Sequence, residues 1–195
     1  MEKILLILTL ACYTIIMGQE TQDTKTALLI IDVQEFYFAE GKSQLEQPEE
    51  ASDQASKVLK AFRDKNALVV HIRHDSSKDS AIHANVKPES SEKVITKHYV
   101  NSYRETDLLD YLQQNEISDV FICGMMTHMC VEAAARVSAD YGFNVTVISD
   151  ACATRDVAFG TDSVLAKDVH ISTLATIQSF YGSVTTAKQY LNKVD

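Results

Sequence analysis

No internal repeat, low-complexity tract or second composition regime interrupts this sequence, and that leaves one domain as its organisation. Positive charge is scarce. Eighteen Lys and Arg face 27 Asp and Glu, giving a formal charge of -9 and a sequence pI near 5.1. That field repels nucleic acid and anionic membrane surfaces, so neither is expected as a partner. Nor does the sequence contain a Cys-x-x-Cys pair, which argues against a thiol–disulfide oxidoreductase. What is present is ordinary for a soluble protein: 46% hydrophobic and 23% charged residues in 195, enough for one substantial core.

The one long apolar run lies at the start, Ile4 to Gly18 after Glu2 and Lys3. It is shorter than the roughly 20 residues of a membrane span. A signal peptide over residues 1–18 is the expectation, followed by a polar tether, 19–25, and a folded domain, 26–195. The protein is then exported, periplasmic or secreted, with no stable membrane insertion once the leader is cut. An uncleaved leader acting as a membrane anchor is the alternative, and lipidation at Cys12 ranks last. Loss of the leader leaves Cys123, Cys130 and Cys152, an odd count that implies at least one free thiol. The plainer alternative is three cysteines packed as small apolar residues.

Short apolar runs predict strands at Ala27–Asp32, Ala67–Ile72, Asp119–Gly124 and Phe143–Asp150, with a last short strand or edge beginning near Val184. Helical spacing predicts helices over Ala51–Asn66, Thr106–Asn115 and Cys130–Tyr141, the last stopped by Gly142, and a further one from Asp162 through Leu165 onward. This alternation indicates an α/β fold, a single three-layer domain with a mostly parallel sheet flanked by helices. Ligands of such sheets bind beyond the carboxyl ends of the strands. Asp32 and Gly124 end two of them, and Cys130 follows Gly124.

A thiol opening a helix feels the positive end of the dipole, which lowers its pKa and favours thiolate, and the free N–H groups there can hold an oxyanion. A buried structural cysteine is the equal alternative. Asp32 closes an apolar strand and is too costly to bury unpartnered, although a turn-forming Asp is commoner. Lys97 follows the β-branched run Val94-Ile95-Thr96, where a lysine is usually solvated.

Taken together the segments resemble a family. Leu28-Leu29-Ile30-Ile31-Asp32-Val33-Gln34 is similar to the opening strand of the isochorismatase-like, nicotinamidase-related cysteine hydrolases. Val94-Ile95-Thr96-Lys97 resembles their lysine segment, and Gly124-Met125-Met126-Thr127-His128-Met129-Cys130-Val131 their nucleophile loop, G-x-x-T-x-x-C-V. Asp150-Ala151 fits the Asp-Ala element after the next strand.

The resemblance implies a triad of Asp32, Lys97 and Cys130. Cys130 attacks a carbonyl to form a thioester, Asp32 carries the proton, and Lys97 holds their geometry. Backbone N–H groups of Met126 and Cys130 form the oxyanion hole, and a cis peptide joins Met125 to Met126. Phe36, Phe38, His98, Tyr103, Met125 and His128 lie near these positions in sequence and are pocket candidates, with core packing an equal role for the aromatics. A homo-oligomer is also implied.

Two segments depart from the family. Nicotinamidases carry an Asp-x-His metal motif where this chain reads His71-Ile72-Arg73-His74-Asp75, so no metal and no other cofactor are expected. Tyr103-Arg104-Glu105-Thr106 replaces a segment in which relatives often carry Phe and Gly. The implied activity is hydrolysis of a small-molecule amide or related C–N bond. Isochorismatases proper cleave a vinyl ether without a cysteine nucleophile, and Cys130 argues against that chemistry. A non-catalytic or redox-responsive protein on the same fold is the alternative.

Overall fold

The computed structural model describes residues 25–39, 41–75 and 80–194. Along the chain run β1 (Thr26–Ile31), α1 (Pro48–Asp64), β2 (Leu68–His74), β3 (Lys93–Lys97), α2 (Leu108–Gln114), β4 (Asp119–Met125), a π-helical turn (Thr127–Val131), α3 (Glu132–Asp140) and β5 (Asn144–Ala153). A hairpin of β6 (Val157–Phe159) and β7 (Asp162–Val164) follows, then α4 (Ala166–Phe180), β8 (Ser183–Thr185) and α5 (Ala187–Val194). The expected leader and the tether through residue 24 lie outside the described residues. Among the described residues no helix is long and apolar enough to cross a membrane.

Six strands form one parallel sheet in the order β3-β2-β1-β4-β5-β8. β1 sits inside it, which is why its run is apolar on both faces. Leu28 and Ile30 point into a core shared with Ala55, Val58, Leu59 and Phe62 of α1 and Tyr190 of α5. Ala27, Leu29 and Ile31 point the other way, toward Leu108 and Leu112 of α2, Ala134 and Ala135 of α3 and Ile177 of α4. The result is the three-layer α/β architecture that the alternation predicts.

Two local expectations change. Asp162–Leu165 is not helical: Phe159 pairs with Asp162 across Gly160-Thr161, and α4 starts only at Ala166. Gly160 takes a positive φ of 62°, the conformation a two-residue hairpin turn requires, and Asp156 Oδ1 accepts the Ala166 N–H to cap α4. Cys130 does not open an α-helix either. It lies within the π-helical turn that feeds α3.

The approach of β4 to β1 is decided by one glycine. Gly124 pairs with Ile31 at φ +128°, and a Cβ there would stand 2.0 Å from the Ile31 carbonyl oxygen. Gly124→Ala is therefore expected to destabilise the fold by roughly 4 kcal/mol, lowering Tm by about 10 °C in a domain of this size. Calorimetry on the two proteins checks this; an unchanged Tm would contradict the close approach.

Candidate active site

Parallel register carries three chemically active side chains to one edge of the sheet. Asp32 is the first residue beyond β1, with φ 49°, and its N–H donates to Ile72 O at 2.8 Å, tying it to β2. Asp tolerates this left-handed conformation better than most residues, and departures of this kind cluster at functional sites. Lys97 ends β3, level with His74 of β2. Two inter-strand steps, about 9.6 Å, separate β3 from β1, a span that needs a long side chain. Cys130 arrives from β4 through the cis Met125–Met126 peptide and the π-helical turn.

The Lys97 ammonium is the hub. Its Nζ stands 2.7 Å from Asp32 Oδ2, donates to Cys130 Sγ at 3.3 Å and to Tyr99 O at 3.2 Å, and lies 3.5 Å from His74 Nδ1. Asp32 and Lys97 are fully buried and Cys130 is nearly so. The ion pair is close in distance but poorly aimed: among the described residues neither carboxylate oxygen of Asp32 receives a well-directed hydrogen bond. Burial raises the Asp32 pKa above its ordinary value, and the Lys97 charge and the Cys130 thiol oppose the shift.

The thiol does not behave as a helix-opening cysteine should. Burial first, and then the neighbouring Asp32 carboxylate, push the Cys130 pKa up to about 12, against the opposing pull of Lys97. Both effects favour the thiol over the thiolate. Desolvation and a like charge outweigh the dipole at a position four residues into the turn. Cys123 and Cys152 are also free and buried, and burial raises both pKa values, so neither is an activated nucleophile.

The pocket candidates have these surroundings. Met125 is wholly buried in the core, and Phe36 packs on Tyr37 with ring centroids 4.3 Å apart. Phe38 stacks on His83 at 3.8 Å, and Tyr103 spends its hydroxyl on Ser138 Oγ at 2.6 Å. His98 lies at the surface, 3.4 Å from Asp75. His128 remains beside the turn, its Nδ1 2.5 Å from Thr154 Oγ1.

Sequence reasoning missed two residues. Tyr37 is buried and its pKa is raised by desolvation and then by the charges of Asp32 and Cys130, with Arg155 acting in the opposite sense. The exposed Arg155 also lowers the His128 pKa after burial has done so, and it makes no ion pair among the described residues. Five residues past Asp32, an aromatic after Asp-Val-Gln was the available signal for Tyr37. None marked Arg155.

His71 and His74 take opposite faces of β2, as their spacing implies. His71 Nε2 is 2.9 Å from Glu92 Oε2, which Arg63 also holds. Burial lowers the His71 pKa. Glu92 is held at about 2: burial raises its pKa, and the hydrogen bonds from Arg63, the Glu89 backbone and His71 outweigh that effect. Among the described residues no three His, Cys, Asp or Glu side chains gather as a metal site requires. Two cavities open on the described residues. One of about 710 Å³ opens at the other end of the sheet, near Thr26 and Arg63. Another of about 540 Å³ flanks the site through Cys152, Thr154 and His170.

A family profile, that of the Isochorismatase domain, matches residues 26–186. The chain belongs to the isochorismatase family of hydrolases. The uncharacterized isochorismatase family protein YddQ of Bacillus subtilis is 37% identical over 177 residues, covering 85% of this chain and 98% of that protein. A crystal structure from Oleispira antarctica, assigned to the isochorismatase hydrolases, superposes with a TM-score of 0.84 at 36% identity, covering 88% of this chain and 98% of the other. Maleamate amidohydrolase of Pseudomonas putida is 26% identical over 196 residues, covering 87% of each.

In this isochorismatase-family site the Asp32–Lys97 pair sets a pH dependence that unfolding can measure. Lys97→Met removes the charge that opposes the upward shift of Asp32 and leaves a buried carboxylate alone, at an expected cost of roughly 3–5 kcal/mol at neutral pH. A carboxyl whose folded pKa is raised contributes stability below its unfolded pKa and loses it as pH rises through the folded value. The deficit of the variant is therefore expected to shrink from pH 7 to pH 4. Urea titrations at both pH values decide it; a deficit that grows on acidification contradicts this assignment.

Proposed function

We propose that the protein hydrolyses a small-molecule amide or related C–N bond through a thioester on Cys130, with Asp32, Lys97 and Cys130 as its catalytic triad. The observation that carries this reading is a single buried ammonium in contact with both a carboxylate and a thiol. Asp32 takes the thiol proton as Sγ attacks the carbonyl carbon. Lys97 stabilises the negative charge while it moves, and the N–H groups of Met126 and Cys130 receive the oxyanion. The C–N bond then breaks, the amine leaves with the proton from Asp32, and a thioester remains. Asp32 next deprotonates water, which attacks the thioester. The acid departs and the proton returns to Cys130.

Maleamate amidohydrolase, by its name, cleaves an amide, and that likeness supports the reaction class. Amides bearing a carboxylate are the first substrates to test, because Arg155 offers an unpaired cation whose field reaches His128 and Tyr37. Export through residues 1–18 fits the same proposal. All three cysteines of the domain are free and buried, so the nucleophile has no disulfide partner in this structure.

A screen of the purified protein against small amides, ureas and lactams should yield a substrate. On that substrate Cys130→Ala and Asp32→Asn should each lower kcat by at least about 10³-fold while both proteins stay folded; near-wild-type turnover in either would sink the triad. Because burial holds the Asp32 carboxyl above 3.8, activity should fall as pH drops through a midpoint higher than that, since the base must be ionised. A kcat/KM profile from pH 3 to 9 measures it, and a profile flat down to pH 3 would remove Asp32 as the base. Mass spectrometry of secreted, non-reduced protein should find a start near Gln19 and Cys130 unbridged; an intact Met1 would exclude leader cleavage.

A further inference from the structure

Four groups surround the Lys97 ammonium, which has three hydrogens. Asp32 Oδ2, Tyr99 O and Cys130 Sγ lie at 2.7, 3.2 and 3.3 Å from Nζ, and His74 Nδ1 is the fourth neighbour at 3.5 Å. Three nearer partners for three hydrogens leave none for the imidazole, so His74 touches a cation that it does not bind. A permanently neutral side chain in that place would be packing and nothing more. A histidine is packing that can gain a charge between about pH 5 and 8.

The backbone holds His74 against the ammonium. It closes β2 level with Lys97, which closes β3. Buried Gln34 clamps it from the β1 side: Oε1 accepts the His74 N–H at 2.7 Å, and Nε2 donates to His74 O at 3.1 Å and to Ser80 O at 2.7 Å. On the β3 side the Asp75 N–H donates to Lys97 O at 2.9 Å. His74 is only half-buried, so solvent protons reach its imidazole, whereas Lys97 and Asp32 are sealed from solvent.

We infer, resting on the proposed triad, that His74 is a positioning residue: neutral, it leaves Nζ on Asp32 and Cys130, and protonated, it drives the ammonium off them and switches the site off. Four charged or titratable groups face it from the neighbouring segments. Burial first, and then the Lys97 charge, lower its pKa; Asp32 after β1 and Asp75 after β2 oppose that, and His98 after β3 adds to it. Asp32 already faces Lys97, and Asp75 lies 3.4 Å from His98 Nδ1, so neither is a free counter-ion for an imidazolium. Protonation therefore sets two cations 3.5 Å apart beside one buried carboxylate. Like charges at that range and in that dryness repel strongly, and with the backbone clamped on both sides the lysine side chain is the part that gives way. The site is assembled above the His74 pKa and comes apart as pH falls through it.

NMR titration of the histidine ring signals tests this, with the His74 signal identified by its loss in His74→Gln. Its midpoint should lie below 6.5, the ordinary value, and Lys97→Met should raise it by about one unit or more. On a substrate of the proposed reaction, His74→Lys, a permanent cation, should lower kcat/KM at pH 8 by at least about 10²-fold. Neutral His74→Gln should restore it to within about 10-fold of wild type. The acid limb should fall with about two protons in wild type, from Asp32 and His74, and about one in His74→Gln. Circular dichroism shows which variants are folded. A wild-type midpoint at or above 6.5, or one that Lys97→Met leaves unmoved, overturns the inference and leaves the thioester reading standing, because the titration uses no substrate. Equal acid limbs, or a folded His74→Lys enzyme with wild-type kcat/KM, overturn it as well. If Lys97→Met or His74→Lys does not fold, the wild-type midpoint and the His74→Gln limb decide.

Discussion

A lysine ammonium with no access to water organises the centre of this molecule. Lys97 and Asp32 are both fully buried, and each would cost several kcal/mol if left alone in that environment. Their attraction offsets part of the cost, and the contacts of Nζ with Cys130 Sγ and Tyr99 O take up the remaining donors. Three segments far apart in sequence are thereby bound to one point. The pair makes demands in return. β1 and β3 must end level with each other, β2 must lie between them, and the turn after β4 must deliver a thiol within reach of the ammonium.

The backbone meets those demands with unusual local conformations. Asp32 is left-handed, Gly124 occupies φ +128°, and the chain after Met126 winds as a π-helical turn. None of these would be favoured in a free peptide. They hold because the sheet around them is dry and well packed, with β1 buried on both faces. The unsatisfied oxygens of Asp32 belong to the same bargain. A carboxylate with perfect partners would be a poor base, whereas burial leaves this one with a raised pKa and room to accept a proton.

The two faces of β2 divide the labour between structure and chemistry. On one, His71, Glu92 and Arg63 form a polar network that ties α1 to the segment before β3. On the other, His74 lies beside Lys97, its pKa lowered first by burial and then by the lysine charge. A neutral imidazole 3.5 Å from the ammonium adds no charge that would compete for its counter-ion. Farther out, His128 and Thr154 join the π-helical turn to the end of β5, and the exposed Arg155 follows Thr154 in the chain.

Hydrophobic runs and helical spacing alone determined the α/β class and the carboxyl-end location of the site, because buried parallel strands must be apolar on both faces. Motif order singled out Asp32, Lys97 and Cys130. Local sequence was misleading where a tertiary partner competes with propensity. Asp162–Val164 became a strand because Gly160 turns the chain and Asp156 caps the next helix. The state of the Cys130 thiol was equally out of reach, since it depends on a carboxylate nearly a hundred positions away and on the water excluded from both. Tyr37 and Arg155 gave little local signal, because their importance lies only in which buried groups they face. Long-range register and desolvation are properties of the folded chain, and they decide which side chains share a space and what charge each carries there.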